Sequence, residues 1–313
     1  MINKISIIGA GRVGESCAQM LAAQKLSKHI TLIDLDDKYA KGVALDIQET
    51  SPIYEFDSVL KGSSDMSAIK GSGIVIITAG LPRKPGMDRS DVLASNIAII
   101  DSVMDGVIEH APDSFVIMVT NPVDVLTYYS LKKSKWPRNR IIGQAGVLDS
   151  MRMSSFIAME THYSVNDIQA LVLGGHGDTM VPLPRFTTIG GIPITELLST
   201  DAIDKIIQRT RDGGAEILNL KQKSSAYDAP GAAVAAMVES IVHSKNRLLP
   251  CISMLEGEYN QRDIAIGVPV VLGSDGIEEI VELKLSQAEQ KLFDYSANSI
   301  RELTNEIKNI KIT

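Results

Sequence analysis

The sequence predicts an α/β protein in which a doubly wound parallel sheet is followed by a second domain of the α+β class. In the first half, short β-branched runs alternate with longer amphipathic stretches, which is typical of βαβ units with helices on both faces of a sheet. After about residue 145, long helical runs replace this alternation. A chain of 313 residues suits two packed domains. We therefore expect one domain over residues 1–145 and another over residues 146–313.

Four pairs of strand and helix fill most of the predicted first domain. Each strand is a short run rich in isoleucine and valine, and each helix has apolar residues at helical spacing. The pairs are Ile5–Ile8 with Val13–Lys25, Ile30–Ile33 with Lys38–Gln48, Ile74–Ile77 with Val92–His110, and Phe115–Val119 with Val123–Lys133. A further short strand at Ile141–Ile142 is expected to close this sheet.

The predicted second domain combines a short strand region with longer helices. Apolar spacing predicts a helix over Ser150–His162 and strands within Ile168–Leu173. Three long helical runs follow at Ala202–Lys221, Gly231–Ser244 and Leu285–Ile310. Since no flexible linker separates the two halves, we expect them to share a broad, fixed interface.

Charge and composition exclude several classes of protein. A net charge of −7 repels polyanions and aromatic residues make up only 4%, so neither a nucleic acid nor a membrane surface is an expected partner. The apolar runs are of strand length, shorter than a membrane helix requires. Cys17 and Cys251 lack the spacing of a metal site or of a disulfide framework. We therefore expect no bound metal, and the few cysteines fit a reducing compartment. Because the first strand follows Met1 closely, we also expect no signal peptide and a cytoplasmic location.

A glycine-rich motif follows the first predicted strand and opens the first predicted helix. Its glycines permit a tight turn, close approach to a pyrophosphate and close helix packing. This G-x-G-x-x-G motif consists of Gly9, Ala10, Gly11, Arg12, Val13 and Gly14. Asp34 ends the second strand, where a carboxylate binds the adenosine ribose and repels the 2′-phosphate of NADP. A simple glycine turn is the alternative, but the combination favours a Rossmann-type domain that binds NAD.

Two arginines, Arg83 and Arg89, lie between a predicted strand and a predicted helix, in a segment interrupted by Pro85 and Gly86. A guanidinium is a planar, permanent charge that pairs with a carboxylate through two hydrogen bonds. Two of them on one loop indicate a doubly charged ligand or a charged transition state. A solvated run of surface charge is the alternative.

Three further polar residues occupy positions typical of ligand sites. Asn121 lies at the carboxyl end of a predicted strand, the edge where open α/β sheets bind ligands, although asparagine is also common in ordinary loops. Asp149 stands near a predicted helix N-terminus, with Arg152 three residues later on the same side. A capping aspartate beside a surface arginine is the alternative for this pair.

His176 is the strongest candidate for a catalytic group. Gly174, Gly175 and Gly177 surround it directly after an apolar strand. Histidine titrates near neutral pH, and flanking glycines leave its ring open to a ligand. A lone histidine is more often structural, but the other four histidines of the chain have no comparable surroundings.

These motifs together resemble the lactate/malate dehydrogenase family along the whole chain. In the order of the family they are Gly9–Gly14 with Asp34, the two-arginine loop, Thr120–Pro122, Leu148–Arg152 and Gly175–Asp178. The two-arginine loop resembles the malate dehydrogenase branch, of the bacterial type that is closer in sequence to lactate dehydrogenases. Lactate dehydrogenases typically carry a glutamine where Arg83 stands.

The resemblance implies reversible hydride transfer between (S)-malate and NAD+, which gives oxaloacetate and NADH. His176 would remove the hydroxyl proton of malate, and Asp149 would orient the imidazole and stabilise its charged form. Arg152 would hold the C1 carboxylate, and Arg83 would hold the C4 carboxylate. Arg89 would polarise the reacting carbonyl.

The resemblance also implies the remaining contacts and the assembly. Asn121 would hydrogen-bond near the substrate and the nicotinamide, while Asn96 and the chain at Val119 and Thr120 would complete the cofactor site. Relatives of this type form homodimers and commonly homotetramers. We therefore expect a homo-oligomer, a tetramer or a dimer, that binds a small dicarboxylate.

Two other functions stay open at this point. A lactate or other 2-hydroxy acid dehydrogenase would share every catalytic residue, but the methyl group of pyruvate would leave the charge of Arg83 desolvated and unpaired. A non-catalytic NAD-binding sensor would have no need for His176, Asp149 and three arginines together.

Overall fold

The structure is a computed structural model that describes residues 2–81 and 89–308. Fourteen strands lie within these residues: β1 Lys4–Ile8, β2 His29–Ile33, β3 Val59–Ser63, β4 Ile74–Ile77, β5 Phe115–Met118, β6 Ile141–Gly143, β7 Ile168–Gln169, β8 Val172–Leu173, β9 Val181–Pro182, β10 Thr188–Ile189, β11 Ile192–Pro193, β12 Arg247–Glu256, β13 Arg262–Gly273 and β14 Gly276–Ile280. The α-helices there are α1 Arg12–Ala23, α2 Asp37–Glu49, α3 Ser51–Tyr54, α4 Arg89–His110, α5 Val123–Ser134, α6 Gly146–Thr161, α7 Ile194–Leu197, α8 Thr200–Lys221, α9 Asp228–Val242 and α10 Gln287–Lys308.

The first six strands form a parallel sheet in the spatial order β3-β2-β1-β4-β5-β6. This is the strand order of a Rossmann-type domain, so the predicted fold class is confirmed. Both faces of the sheet are covered: in β4, Ile74 and Ile76 pack into one hydrophobic cluster, while Val75 and Ile77 pack into another on the opposite face. Burial on both faces explains why the strands are continuous apolar runs.

The sequence prediction missed β3, which contains a lysine and a glycine and has little of the apolar pattern of its neighbours. It pairs with β2 at the edge of the sheet. An edge strand has only one strand neighbour and is often short and polar. Hydrophobic periodicity alone therefore does not find it.

The predicted strand at Ile141–Ile142 is confirmed as β6, the last parallel strand, but the expectation that it closes the sheet was wrong. On its far side β6 pairs antiparallel with β12 through Gly143 and Ile252, and β13 and β14 extend the sheet to nine strands. The physical reason is that an unpaired β6 would leave a row of backbone donors and acceptors without partners. Strand β12, which is buried from Leu249 to Leu255, pairs with this side of β6, and this connection joins the two halves of the chain.

The four helices predicted for the second half are confirmed as α6, α8, α9 and α10, with small shifts of their ends. Helix α9 packs closely on α1, since a carbon added to Gly231 would lie 2.5 Å from Ser16 Oγ. Helix α8 packs on α6 beside Gly213, whose added carbon would lie 3.3 Å from Arg152 Cδ. Among residues 2–81 and 89–308, no helix is long and apolar enough to span a membrane.

Candidate active site

The turn between β1 and α1 is closely packed against its own backbone. Gly9 has φ +103°, and a carbon added there would lie 2.7 Å from the backbone nitrogen of Ala79. A carbon added to Gly14 would lie 1.9 Å from the carbonyl oxygen of Gly9. Gly11, by contrast, has nothing within 4 Å of such a carbon. Gly9 and Gly14 are therefore required by the fold, while Gly11 leaves open space beside the turn.

This turn fits a dinucleotide. Gly11 caps α1 without a side chain, so the first N–H groups of the helix stay available to an anion such as a pyrophosphate. Asp34 follows β2, and its Oδ2 accepts a hydrogen bond from the backbone N–H of Ala10 at 2.9 Å. The carboxylate therefore lies against the glycine turn. Val13 is half-buried and Arg12 is exposed, its guanidinium 5.5 Å from the centre of the Tyr227 ring.

Asn96 and Thr120 hold neighbouring loops together. Asn96 is 2% exposed. Its Oδ1 accepts from the N–H of Leu81 at 2.7 Å, and its Nδ2 donates to the carbonyl of Asn121 at 2.7 Å. Thr120 Oγ1 donates to the carbonyl of Ala79 at 2.7 Å. These two side chains therefore fix the chain that carries Asn121.

Asn121 and Val119 lie at the end of β5, as the sequence predicted for them. The N–H of Val119 donates to the carbonyl of Ile77 at 2.9 Å, which continues the pairing with β4. The residue Asn121 is exposed and follows directly on this segment. The structure thus brings the ends of β1, β2, β4 and β5 to one edge, together with the residues predicted to bind the cofactor.

His176 and Asp149 form a hydrogen-bonded pair. The distance from His176 Nδ1 to Asp149 Oδ2 is 2.9 Å, with side-chain exposures of 18% and 2%. Asp149 lies in the first turn of α6, which begins at Gly146, and its carboxylate points to the histidine instead of capping the helix. The bond occupies Nδ1 and leaves Nε2 as the imidazole nitrogen that can face a ligand.

Arg152 is the third member of this cluster. Its Nη1 lies 3.2 Å from Asp149 Oδ1, and its side chain is 11% exposed. Its Nε is buried without a hydrogen-bond partner among the described residues. A buried guanidinium with an unused donor is suited to a carboxylate ligand, which would pair with it.

The environment of His176 has opposing effects on its protonation. Burial lowers the pKa of His176, but the charge of Asp149, its hydrogen bond and the charge of Asp124 together raise that pKa above the ordinary 6.5. The charge of Arg152 opposes them. The net effect favours the imidazolium near neutral pH.

Two residues that the sequence prediction did not assign hold the backbone around His176. Asp124 Oδ2 accepts a hydrogen bond from the N–H of His176 at 3.0 Å. Ser296 Oγ, from α10, accepts one from the N–H of Gly175 at 2.8 Å. In the sequence, Asp124 looks like an ordinary acid in the first turn of a helix. Ser296 carries no signal, because it lies 121 residues after Gly175, to which it bonds.

Some predicted residues cannot be placed by the structure. Arg83 lies outside the described residues. Arg89 begins α4, but its side chain also lies outside the description. The described part of the cluster therefore consists of His176, Asp149 and Arg152, with the glycine turn and Asp34 at the same sheet edge.

Comparison with known proteins identifies the family. The family profile described as lactate/malate dehydrogenase, NAD binding domain, matches residues 3–143. The profile described as lactate/malate dehydrogenase, alpha/beta C-terminal domain, matches residues 146–312. The chain is 56% identical over 307 residues to a malate dehydrogenase of Thioalkalivibrio sulfidiphilus, which covers 98% of this chain and 100% of the relative. It is 56% identical over 300 residues to a malate dehydrogenase of Nitrosococcus oceani, 96% of each chain.

Solved structures share the fold along nearly the whole chain. The malate dehydrogenase from Salinibacter ruber superposes with a TM-score of 0.94 at 44% identity, covering 98% of both chains. A lactate dehydrogenase from Cryptosporidium parvum, complexed with lactic acid and nicotinamide adenine dinucleotide, superposes with a TM-score of 0.95 at 36% identity, covering 99% of both chains. With both domain profiles matched and relatives of high identity over its full length, the chain belongs to the lactate/malate dehydrogenase family.

Proposed function

We propose that the chain catalyses the reversible, NAD-dependent oxidation of (S)-malate to oxaloacetate. The observation that carries the proposal is the cluster in which His176 Nδ1 lies 2.9 Å from Asp149 Oδ2 and Arg152 Nη1 lies 3.2 Å from Asp149 Oδ1. It combines a proton acceptor, a group that orients it and a buried cation, which suits a negatively charged hydroxy acid. The relatives with 56% identity are named malate dehydrogenases, which supports the choice of substrate.

His176 acts as the acid and base of this reaction. With Asp149 on Nδ1, the neutral imidazole presents an unprotonated Nε2, which takes the proton of the C2 hydroxyl. NAD, when bound, would supply the nicotinamide that accepts the hydride from C2. Asp149 stabilises the imidazolium that results, and in the reverse direction His176 returns the proton to the carbonyl oxygen of oxaloacetate.

Arginines bind and polarise the dicarboxylate. Arg152 pairs with the C1 carboxylate, a role supported by its buried position and its unpaired Nε. The roles of Arg83 on the C4 carboxylate and of Arg89 on the reacting carbonyl rest on the resemblance of their loop to the malate branch. Asn121 hydrogen-bonds near the substrate and the nicotinamide.

The glycine turn and its surroundings hold the cofactor. Gly9, Ala10, Gly11, Arg12, Val13 and Gly14 carry the pyrophosphate, and Asp34 takes the ribose hydroxyls. Asn96, Val119 and Thr120 complete the site around the nicotinamide. The open space at Gly11 and the free N–H groups at the start of α1 support this assignment.

The same proposal includes the organisation of the chain. Residues 1–145 bind NAD, and residues 146–313 carry the catalytic histidine and bind the substrate. The protein is cytoplasmic and forms a homo-oligomer, a tetramer or a dimer. Size-exclusion chromatography with light scattering measures the assembly directly, and a monomer at micromolar concentration would overturn that part of the proposal.

The fold alone does not separate malate from lactate, because enzymes of both names superpose on it. We expect NADH oxidation with oxaloacetate to exceed that with pyruvate in kcat/KM. Arg83→Gln should shift the ratio towards pyruvate by about 100-fold or more, because the proposed pair of Arg83 with the C4 carboxylate is lost. His176→Asn is the inactive control and should still bind NADH. An unchanged ratio in Arg83→Gln would place the discrimination elsewhere, and an active His176→Asn would overturn the proposed mechanism.

A further inference from the structure

Asp124 is a buried carboxylate beside His176 that takes no part in the proposed binding of substrate or transfer of the proton. It lies in the first turn of α5, in the half of the chain that carries the glycine turn, and it is 6% exposed. Its Oδ2 accepts the backbone N–H of His176 at 3.0 Å, across a separation of 52 residues. The contact therefore joins α5 to the loop that carries the catalytic histidine.

The loop has two backbone anchors of different character. Ser296 Oγ accepts the N–H of Gly175 at 2.8 Å, and Asp124 Oδ2 accepts the next N–H, that of His176. Both anchor residues are buried. Only Asp124 can carry a charge, so the two anchors differ in their effect on the electrostatics of the loop.

A charge at Asp124 acts directly on the imidazole. Among the described residues, the charges that shift the pKa of His176 are those of Asp149 and Arg152 from α6 and of Asp124 from α5. Asp178 is a further charged residue of the same loop, and α10 faces the loop with the uncharged Ser296 and Ile300. The negative charge of Asp124 favours the imidazolium, in the same direction as Asp149. Burial and, to a smaller extent, the charge of Asp149 raise the pKa of Asp124, the N–H and the charge of His176 lower it, and the net result is a pKa of about 6. The carboxylate is therefore mostly ionised above about pH 6.

Oδ1 of Asp124 is buried and has no hydrogen-bond partner among the described residues. A carboxylate whose role is only to accept one backbone N–H needs no second oxygen and no charge, because an amide or hydroxyl oxygen does the same. Burying an incompletely paired charge is unfavourable. This arrangement is consistent with a requirement for the charge itself.

We propose that Asp124 is a positioning residue for His176, which fixes the backbone of the histidine and places a second negative charge beside the imidazole that Asp149 orients. This inference rests on the proposed role of His176 as acid and base. It adds that a residue in the other half of the chain influences the protonation of His176. Proton affinity at the active site depends on the docking of α5 against the histidine loop.

The test replaces the charge and keeps the acceptor. In Asp124→Asn the amide oxygen can still accept the N–H of His176, while the negative charge is lost. We expect the pKa of His176 to fall by about one unit, as loss of a nearby opposite charge does. NMR titration of labelled histidine measures this pKa without substrate or cofactor. The missing signal in His176→Asn identifies the resonance among the five histidines.

Loss of the charge should also shift the pH profiles of kcat/KM to lower pH. Oxaloacetate reduction needs the protonated imidazole, so its kcat/KM in Asp124→Asn should decline at a pH about one unit lower than in the wild type. At pH values well above the pKa of His176 in both proteins, kcat/KM for reduction should be about tenfold lower in the variant. Malate oxidation needs the neutral imidazole, so its rise should shift by the same amount in the same direction. If Asp124 served only in folding, its replacement would lower kcat/KM without changing the pH at which the reduction profile falls or the oxidation profile rises.

Ser296→Ala is the matched control, because it removes the neighbouring buried anchor without removing a charge. It should leave the pKa of His176 where it is in the wild type, whatever it does to thermal stability. Asp124→Ser removes the charge with a smaller side chain and replaces Asp124→Asn if that variant does not fold. In the wild type, carbon-13 NMR of labelled aspartate reports the charge of Asp124 directly.

Three results would overturn the inference: an unchanged pKa of His176 in a folded charge-removing variant, an equal shift in Ser296→Ala, or an Asp124 that stays neutral while His176 titrates. Failure of the proposed function is a separate result. If His176 were not the acid and base, His176→Asn would retain activity, while Asp124→Asn would still move the titration of His176 by NMR.

Discussion

At the scale of single residues, His176 depends on a balance between burial and negative charge. Burial disfavours the imidazolium, and the carboxylates of Asp149 and Asp124 reverse this effect. A histidine whose pKa is raised above its ordinary value holds its proton to a higher pH and can still release it. In the proposed reaction, His176 would therefore serve as the base in malate oxidation and as the acid in oxaloacetate reduction.

The raised pKa of His176 predicts opposite pH profiles for the two directions. For oxaloacetate reduction, kcat/KM should stay at its plateau beyond the ordinary value of 6.5 and fall as the pH rises through the raised pKa. For malate oxidation, kcat/KM should rise through the same pH range. Steady-state rates between about pH 5 and 9 measure both limbs. Profiles with limbs of the same sign would contradict the assignment of His176.

At the scale of elements, the glycines of the β1–α1 turn differ in whether the packing of the chain requires them. Gly14 is in close contact with the carbonyl of Gly9, so the chain itself requires the absence of a side chain there. Gly11 has open space and a backbone conformation, φ −63° and ψ −178°, that other residues adopt. The packing of the fold therefore does not require a glycine at this position, while the proposed approach of the pyrophosphate would.

A pair of alanine substitutions tests this distinction. Gly14→Ala should lower the free energy of unfolding by roughly 1–3 kcal/mol, because a new carbon collides with backbone. Gly11→Ala should leave that free energy nearly unchanged and weaken NADH binding by roughly tenfold or more, because the pyrophosphate can no longer approach. Urea unfolding and fluorescence titration with NADH measure the two quantities.

Gly42→Ala on the exposed side of α2 is the control for the loss of a glycine. Nothing lies within 4 Å of the added carbon, so this variant should be more stable by about 0.4–1 kcal/mol and should bind NADH normally. If Gly11→Ala bound NADH as tightly as Gly42→Ala does, the pyrophosphate could not lie against Gly11.

At the scale of the whole molecule, one sheet runs through both halves of the chain. Strand β12 extends the parallel sheet beyond β6, and α9 packs on α1 next to Ser16 and Gly231. The large hydrophobic cluster on that side contains residues of both halves, among them Cys17 of α1 and Cys251 of β12. The halves therefore depend on each other for burial of apolar surface.

The two cysteines provide a test of this dependence. Both are fully buried, and burial raises the pKa of each thiol to about 12. We expect Cys17 and Cys251 to become reactive over the same range of denaturant concentration, because the halves unfold together. Pulsed alkylation with peptide mass spectrometry follows each thiol separately. If one thiol reacted at clearly lower denaturant, the halves would unfold independently.

The sequence by itself determined the features that depend on local pattern. Continuous apolar runs such as Ile74–Ile77 predict strands that are covered on both faces, and the spacing of Gly9, Gly11 and Gly14 predicts the turn that follows β1. The sequence also singled out His176 by its flanking glycines, and Asp149 with Arg152 by their spacing near a predicted helix start. These signals can be read from the sequence alone, since the hydrophobic period and the conformation of glycine are properties of short segments.

Only the tertiary structure decided how distant segments meet. It joined β12 to β6, used the side chain of Asn96 to hold Leu81 and Asn121, and set Asp124 and Ser296 on the backbone of the His176 loop. The physical reason is that a buried backbone donor or acceptor needs a partner but does not specify which residue supplies it. That choice depends on the packing of the whole chain, which no short segment encodes.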